Sequence, residues 1–168
     1  VSTVSADVDS RRIAGAQRIN AVSGAVEVQE PSGPVEIKTV SGDIALRGGD
    51  RGGALRLTTV SGDVRADGVG GELEATSVSG DVVLALGALR ALRVRSTSGD
   101  VELRAAPARG ARLEVESVSG DLDLALRAPG GLEVDAESFS GDIGTCYGAR
   151  GTANSAYGPG KSLRGTRG

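Results

Sequence analysis

The sequence predicts an all-β fold: a single-domain parallel β-solenoid of about eight rungs, 18–21 residues each, coiled right-handed. Three observations predict it. The first is a five-residue motif, a hydrophobic residue or Thr, then Ser-Gly-Asp, then Val, Ile or Leu. It reads Val40-Ser41-Gly42-Asp43-Ile44, Val60-Ser61-Gly62-Asp63-Val64, Val78-Ser79-Gly80-Asp81-Val82, Thr97-Ser98-Gly99-Asp100-Val101, Val118-Ser119-Gly120-Asp121-Leu122 and Phe139-Ser140-Gly141-Asp142-Ile143. Two weaker copies precede these: Val4-Ser5-Ala6-Asp7-Val8 lacks the Gly and Val22-Ser23-Gly24-Ala25-Val26 lacks the Asp. The second observation is the spacing. Successive Ser residues from Ser5 to Ser140 are 18, 18, 20, 18, 19, 21 and 21 apart, enough for two short strands and too little for a helical pair. The third is composition. With Phe139, Tyr147 and Tyr157 as the sole aromatics and no Trp, Met or His, a bulky core cannot be built. The 27 glycines suit tight turns and not helices, where each costs about 1 kcal/mol relative to Ala.

Within a rung, the first strand precedes the Ser. Six positions before it stand Val35, Leu55, Leu73, Leu92, Leu113 and Val134, and four before it Ile37, Leu57, Ala75, Val94, Val115 and Ala136. Polar residues fall between them, the period-two alternation of a strand with one buried face. The Ser-Gly-Asp segment is the turn. A second strand then begins at Ile44, Val64, Val82, Val101, Leu122 and Ile143 and continues two residues later through Leu46, Ala66, Leu84, Leu103 and Leu124. Stretches such as Gly48-Gly49-Asp50-Arg51-Gly52-Gly53, Gly68-Val69-Gly70-Gly71 and Pro129-Gly130-Gly131 close the unit.

Two strands per unit allow either an antiparallel meander or a coil in which each strand lies beside its counterpart one repeat on. The column five before Ser favours the coil. It reads Arg18, Glu36, Arg56, Glu74, Arg93, Glu114, Asp135, alternating in sign through six repeats. In a coil these side chains stack about 4.8 Å apart, where opposite charges attract and like charges oppose stacking. Two before Ser runs a hydroxyl column, Thr3, Thr39, Thr59, Ser77, Ser96, Ser117 and Ser138, in the inward parity of the strand. The apolar residue that follows breaks that parity, so a corner is expected there, with the hydroxyls bonding backbone groups of the next rung.

The array resembles a bacterial family of adhesin-like proteins with Ser-Gly-Asp β-strand repeats, a domain of unknown function grouped by analogy with auto-transporter adhesins. The resemblance covers roughly residues 1–145, and the tail Tyr157-Gly158-Pro159-Gly160-Lys161-Ser162-Leu163 shares it. It implies a parallel β-helix-like array in an exported bacterial protein, outside the cytoplasm in the periplasm or at the cell surface. On this reading residues 1–145 form the repeat domain and 146–168 a Gly-rich C-terminal segment, a last rung left uncapped or cut short. A chain that begins at Val1 and lacks Met reads as a processed, excised or trimmed piece of a longer product.

The Asp column, Asp43, Asp63, Asp81, Asp100, Asp121 and Asp142, needs compensation, because carboxylates one rung apart repel. The structural reading has each Asp accept N–H groups of its own turn. The competing reading makes the column a row of calcium sites, with oxygen ligands from carboxylates and turn carbonyls; the nine-residue glycine-rich calcium repeat is absent and Ala25 interrupts the row. Catalysis by these acids is disfavoured. A residue that recurs in six rungs is explained by its fold position, and the chain lacks His and an aromatic groove for sugar rings. Gly160-Lys161-Ser162 mimics the end of a phosphate loop, but Ser155 stands where that motif requires Gly. The inward parity of the hydroxyls argues against an ice-binding ladder. Cys146 is alone and reads as an ordinary buried thiol, or as one whose partner lies elsewhere in a longer protein.

A net charge of −3 with both signs dispersed, and the scarcity of aromatics, give no nucleic-acid surface. No run reaches the roughly 18 apolar residues of a membrane helix. The expectation is a non-catalytic module, with no cofactor, that binds a protein or glycan of the cell envelope or serves it structurally. Its contacts would be the sheet faces and the turns that vary between rungs, from Asp67-Gly68-Val69-Gly70-Gly71 to Arg104-Ala105-Ala106-Pro107-Ala108-Arg109-Gly110. Two alternatives stand beside it: a scaffold that self-assembles into filaments or dimers through its end rungs, and a polysaccharide-active enzyme.

Overall fold

The computed structural model describes residues 1–48, 53–127, 132–145, 152–153 and 161–167. These form strands β1 (Ser2–Ser5), β2 (Val8–Arg11), β3 (Gln17–Ser23), β4 (Val26–Gln29), β5 (Val35–Ser41), β6 (Ile44–Arg47), β7 (Ala54–Ser61) and β8 (Val64–Ser79). There follow β9 (Val82–Ser98), β10 (Val101–Ala105), β11 (Ala111–Ser119), β12 (Leu122–Leu126), β13 (Leu132–Ser140), β14 (Ile143–Thr145), β15 (Thr152–Ala153) and β16 (Lys161–Arg167). Among the described residues there is no helix, and so none long and apolar enough to cross a membrane.

Each strand pairs in parallel with its counterpart one repeat on. One face runs β1-β3-β5-β7, then the later halves of β8 and β9, then β11 and β13. The other runs β2-β4-β6, then the early halves of β8 and β9, then β10, β12 and β14. The result is a β-solenoid of about seven turns. Rungs are numbered below by their Ser, from Ser5 in rung one to Ser140 in rung eight.

The alternation read from sequence is the cause of this closure. Ile37, Leu57, Ala75, Val94, Val115 and Ala136 from one face meet Ile44, Leu46, Val64, Val82, Leu84, Val101, Leu103, Leu122 and Leu124 from the other, all at 2 % exposure or less. Removing each Val, Leu or Ile side chain from water contributes about 1.5–3 kcal/mol, and the repetition forms one continuous thin core. Among the described residues no aromatic takes part.

The last strand departs from parallel pairing. β16 lies antiparallel to β13, Ser138 opposite Lys161 and Leu132 opposite Arg167, with β15 antiparallel on its outer side. This strand carries no repeat motif. It covers the outer edge of the last long strand and does not continue the coil.

Candidate functional site

The Ser-Gly-Asp corner is where rungs touch most closely. A Cβ built on Gly24 would stand 2.5 Å from the carbonyl oxygen of Ala6, and the glycines from Gly42 to Gly141 each sit against the carbonyl oxygen of the corner glycine one rung earlier. Gly24, Gly62, Gly80, Gly99, Gly120 and Gly141 also have φ between +116° and +149°, which disfavours any side chain.

The Asp column differs from expectation. The carboxylates of Asp43, Asp63, Asp81, Asp100 and Asp121 accept from the next rung, not from their own turns. Asp43 Oδ1 accepts the Asp63 N–H at 2.9 Å, and the pattern repeats from Asp63 to Asp81 (3.1 Å), Asp81 to Asp100 (3.1 Å), Asp100 to Asp121 (2.9 Å) and Asp121 to Asp142 (2.8 Å). Asp7 does the same for Ala25 at 2.8 Å. Because the strands are in parallel register, each Asp is placed under the next rung's amide, and a charge-assisted bond offsets the repulsion. The acids are strung one per rung. Among the described residues no three His, Cys, Asp or Glu side chains come together to hold a metal.

The hydroxyl column points inward, with Thr39, Thr59, Ser77, Ser96, Ser117 and Ser138 buried. Its bonds are not those expected. Ser77 and Ser96 donate at 3.5 Å to the Gly80 and Gly99 carbonyls of their own rungs, and Ser138 donates at 3.5 Å to Gly120 of the preceding rung. Thr39, Thr59 and Ser117 have buried hydroxyl oxygens without a hydrogen-bond partner.

The corner falls one residue later than expected. β3, β5, β7 and their counterparts run on to the Ser, so the residue before it points outward in the strand's alternation, and the alternation breaks at the Ser, which is exposed too. Val4, Val22, Val40, Val60, Val78, Val118 and Phe139 are consequently exposed, from 42 % at Val78 to 71 % at Val4. Their apolar character suggested a bend, whereas parity alone would have placed them on the surface.

On the same face, toward the start of the strands, an open groove of about 820 Å³ runs along the rod from rung two to rung seven. Small residues at Ala16, Pro34, Ala54 and Ala91 leave its space, the charged column lines it together with Glu72 and Arg112, and Leu55, Leu73 and Leu92 border it with side chains buried in the core. The signs that alternate in sequence close as ion pairs, each Arg reaching the acid one rung on: Arg18–Glu36 at 2.7 Å, Arg56–Glu74 at 2.8 Å and Arg93–Glu114 at 2.6 Å. Arg95–Glu116 at 2.9 Å and Arg112–Glu133 at 3.0 Å follow the same rule. Bonds from Lys38 and Arg18 hold the Glu36 carboxyl down at about 2, and Arg93 lowers Glu114 while being raised by it. The wall is thus a set of mutually neutralising charges. The alternation of this column is legible in the sequence and the groove is not, its one signal being the small residues Ala16, Pro34, Ala54 and Ala91 seven before Ser, interrupted by Glu72.

The variable turns differ among themselves. Asp67-Gly68-Val69-Gly70-Gly71 is no projecting loop: it lies within β8 as a bulged edge, with Val69 fully buried. The stretch after β10 is tied to rung five, Ala106 N–H to Leu86 O at 3.3 Å and Ala108 N–H to Leu89 O at 2.9 Å. The turns at 49–52 and 128–131, with Cys146, Tyr147, Ser155, Tyr157 and Gly160, lie outside the described residues. Lys161 and Ser162 open strand β16, where a phosphate loop would open a helix.

Residues 19–158 match the family model described as Toastrack DUF4097. No curated protein and no solved structure matches the chain.

Proposed function

As the chain belongs to the Toastrack DUF4097 family, a β-helix-like domain of unknown function, we propose that it is a non-catalytic module that holds an extended polymer of the cell envelope, a glycan or polypeptide strand, along its axial groove. The observation that carries this reading is the groove itself, which crosses rungs two to seven with small outward residues along it and charges of alternating sign beside them. A linear chain with a repeat near the 4.8 Å rung spacing can make the same contact at every rung, so affinity accumulates with length. The closed ion pairs favour recognition by shape and hydrogen bonding over attraction of one charge sign. The absence of His and the single-file arrangement of the acids support a binding role over turnover. Placement outside the cytoplasm rests on the resemblance to exported adhesin-like repeat proteins.

Titration calorimetry with cell-wall glycan oligomers and with Lys-Glu repeat peptides tests this. Binding should strengthen with oligomer length, and Ala54→Trp, which fills the groove from an exposed position, should weaken it at least tenfold. Absence of binding to either polymer class, or binding indifferent to Ala54→Trp, would remove the groove from consideration. Turnover on a polysaccharide panel would instead make the protein an enzyme.

A second reading, assembly through end rungs, has one observation in its favour. Within this chain β1 pairs only with β3 and β2 only with β4, so their outer backbone groups have no neighbouring strand among the described residues.

A further inference from the structure

We propose that the outward apolar column is a docking surface for a second copy of this chain, with the two rods antiparallel about a two-fold axis that lies along the strands at Val78. The column fills seven of eight rungs with Val or Phe, broken by Thr97, so it is a continuous stripe and not scattered surface valines. Three features select the occupant.

The first is periodicity. Side chains about 4.8 Å apart over eight rungs are matched along their length by a surface with the same repeat, and a second copy supplies it. Facing columns then meet rung against rung along their length.

The second is a knob and a hole at opposite ends. Phe139, the one Phe of the chain, projects from rung eight at 60 % exposure. A depression of about 420 Å³ spans rungs one to three, lined by Val4, Val22, Val40, Ala21 and Lys38 among others. Val4, Val22 and Val40 give the depression its exposed apolar side chains. A two-fold axis through rung five sets rung eight of each copy on rung two of the other, so both Phe139 side chains enter both depressions at once. That is the self-complementarity an isologous dimer requires. Parallel rods in equal register would oppose Phe139 to Phe139 and leave depression facing depression.

The third is charge. The outward column two residues before the stripe reads Asn20, Lys38, Thr58, Thr76, Arg95, Glu116, Glu137. Rotation about an axis along the strands brings this column onto itself reversed, so the register that seats Phe139 also sets Lys38 opposite Glu116 and Asn20 opposite Glu137. Lys38 already contacts Glu36 and Glu116 already contacts Arg95, so these charges fix orientation and register more than affinity.

Sedimentation velocity of the 168-residue chain over a range of concentrations, with thiol cross-linking, tests the arrangement. The chain should sediment as a dimer, and Phe139→Ser and Val78→Lys, both at exposed positions, should each raise the dissociation constant at least tenfold while leaving the circular dichroism and the melting temperature of the monomer unchanged. In a Cys146→Ser background, a short bis-maleimide should link Val78→Cys to itself and Val22→Cys to Phe139→Cys, but not Val22→Cys to itself. These cross-links decide the matter even where a substitution alters folding. A monomer at every concentration overturns the proposal. So does a dimer that ignores both substitutions, or one that links Val22→Cys to itself.

Discussion

Single positions in this rod are constrained by what lies one rung away more than by their own turn. Thr59 shows this from the unfavourable side. Its side chain is buried at 0 % exposure in the inward column between Thr39 below and Ser77 above, yet its hydroxyl has no hydrogen-bond partner. A buried hydroxyl without a partner loses its water without recompense, at about 1–3 kcal/mol. Thr59→Val keeps the shape and removes the stranded oxygen. It should raise stability by about 1 kcal/mol in urea unfolding. Ser77→Val, which deletes a bonded hydroxyl and adds a methyl to a filled site, should not stabilise.

At the scale of the strand, the outward face is organised by ion pairs that join adjacent rungs, and one of them reports on pH. Glu36 in β5 accepts from Lys38 on its own strand and from Arg18 on β3, and its carboxyl is held near 2 instead of the ordinary 4.5. A carboxyl depressed by folding contributes stability that is fully present above its unfolded value and is lost as pH falls through its folded value. The contribution of Glu36 should therefore be constant above about pH 4.5 and disappear between there and about pH 2. Melting temperatures of the native chain and Glu36→Gln should differ at pH 6 and converge at pH 2. A difference independent of pH would place the effect in packing. Because the pair is exposed, it should also shrink at high salt.

For the molecule as a whole, the repeat made most of the fold legible, and what escaped was whatever depends on the pitch of the coil. Steps of 18–21 residues and the parity of Ile37, Leu57 and Val94 sufficed to give parallel rungs and a thin core. They could not say that Asp43 bonds Asp63 and not its own turn, since that depends on how far one rung rises above the last. Nor could they show a groove assembled from residues of six rungs, or a β16 that carries no repeat and pairs antiparallel. Valine before each Ser was misread because apolar character was weighed above alternation. The pitch also decides how the rod fails. In a solenoid, stability is a sum of rung and nearest-neighbour terms, so a break between two middle rungs should uncouple the halves. Gly80 offers that test: its φ is +127°, and a methyl there would meet the Gly62 carbonyl of the rung below. Gly110, at φ +75° with open space around it, isolates the backbone term. Gly110→Ala should cost about 1 kcal/mol, and Gly80→Ala about 3 kcal/mol or more. Hydrogen exchange should distinguish them further. Gly80→Ala should lose amide protection in the rungs on both sides of the corner and broaden the melt, whereas Gly110→Ala should lower the melting temperature with the protection pattern intact. Equal effects of the two would show that the corner glycine is kept for its dihedral angle, and that the contact between rungs is not what excludes a side chain there.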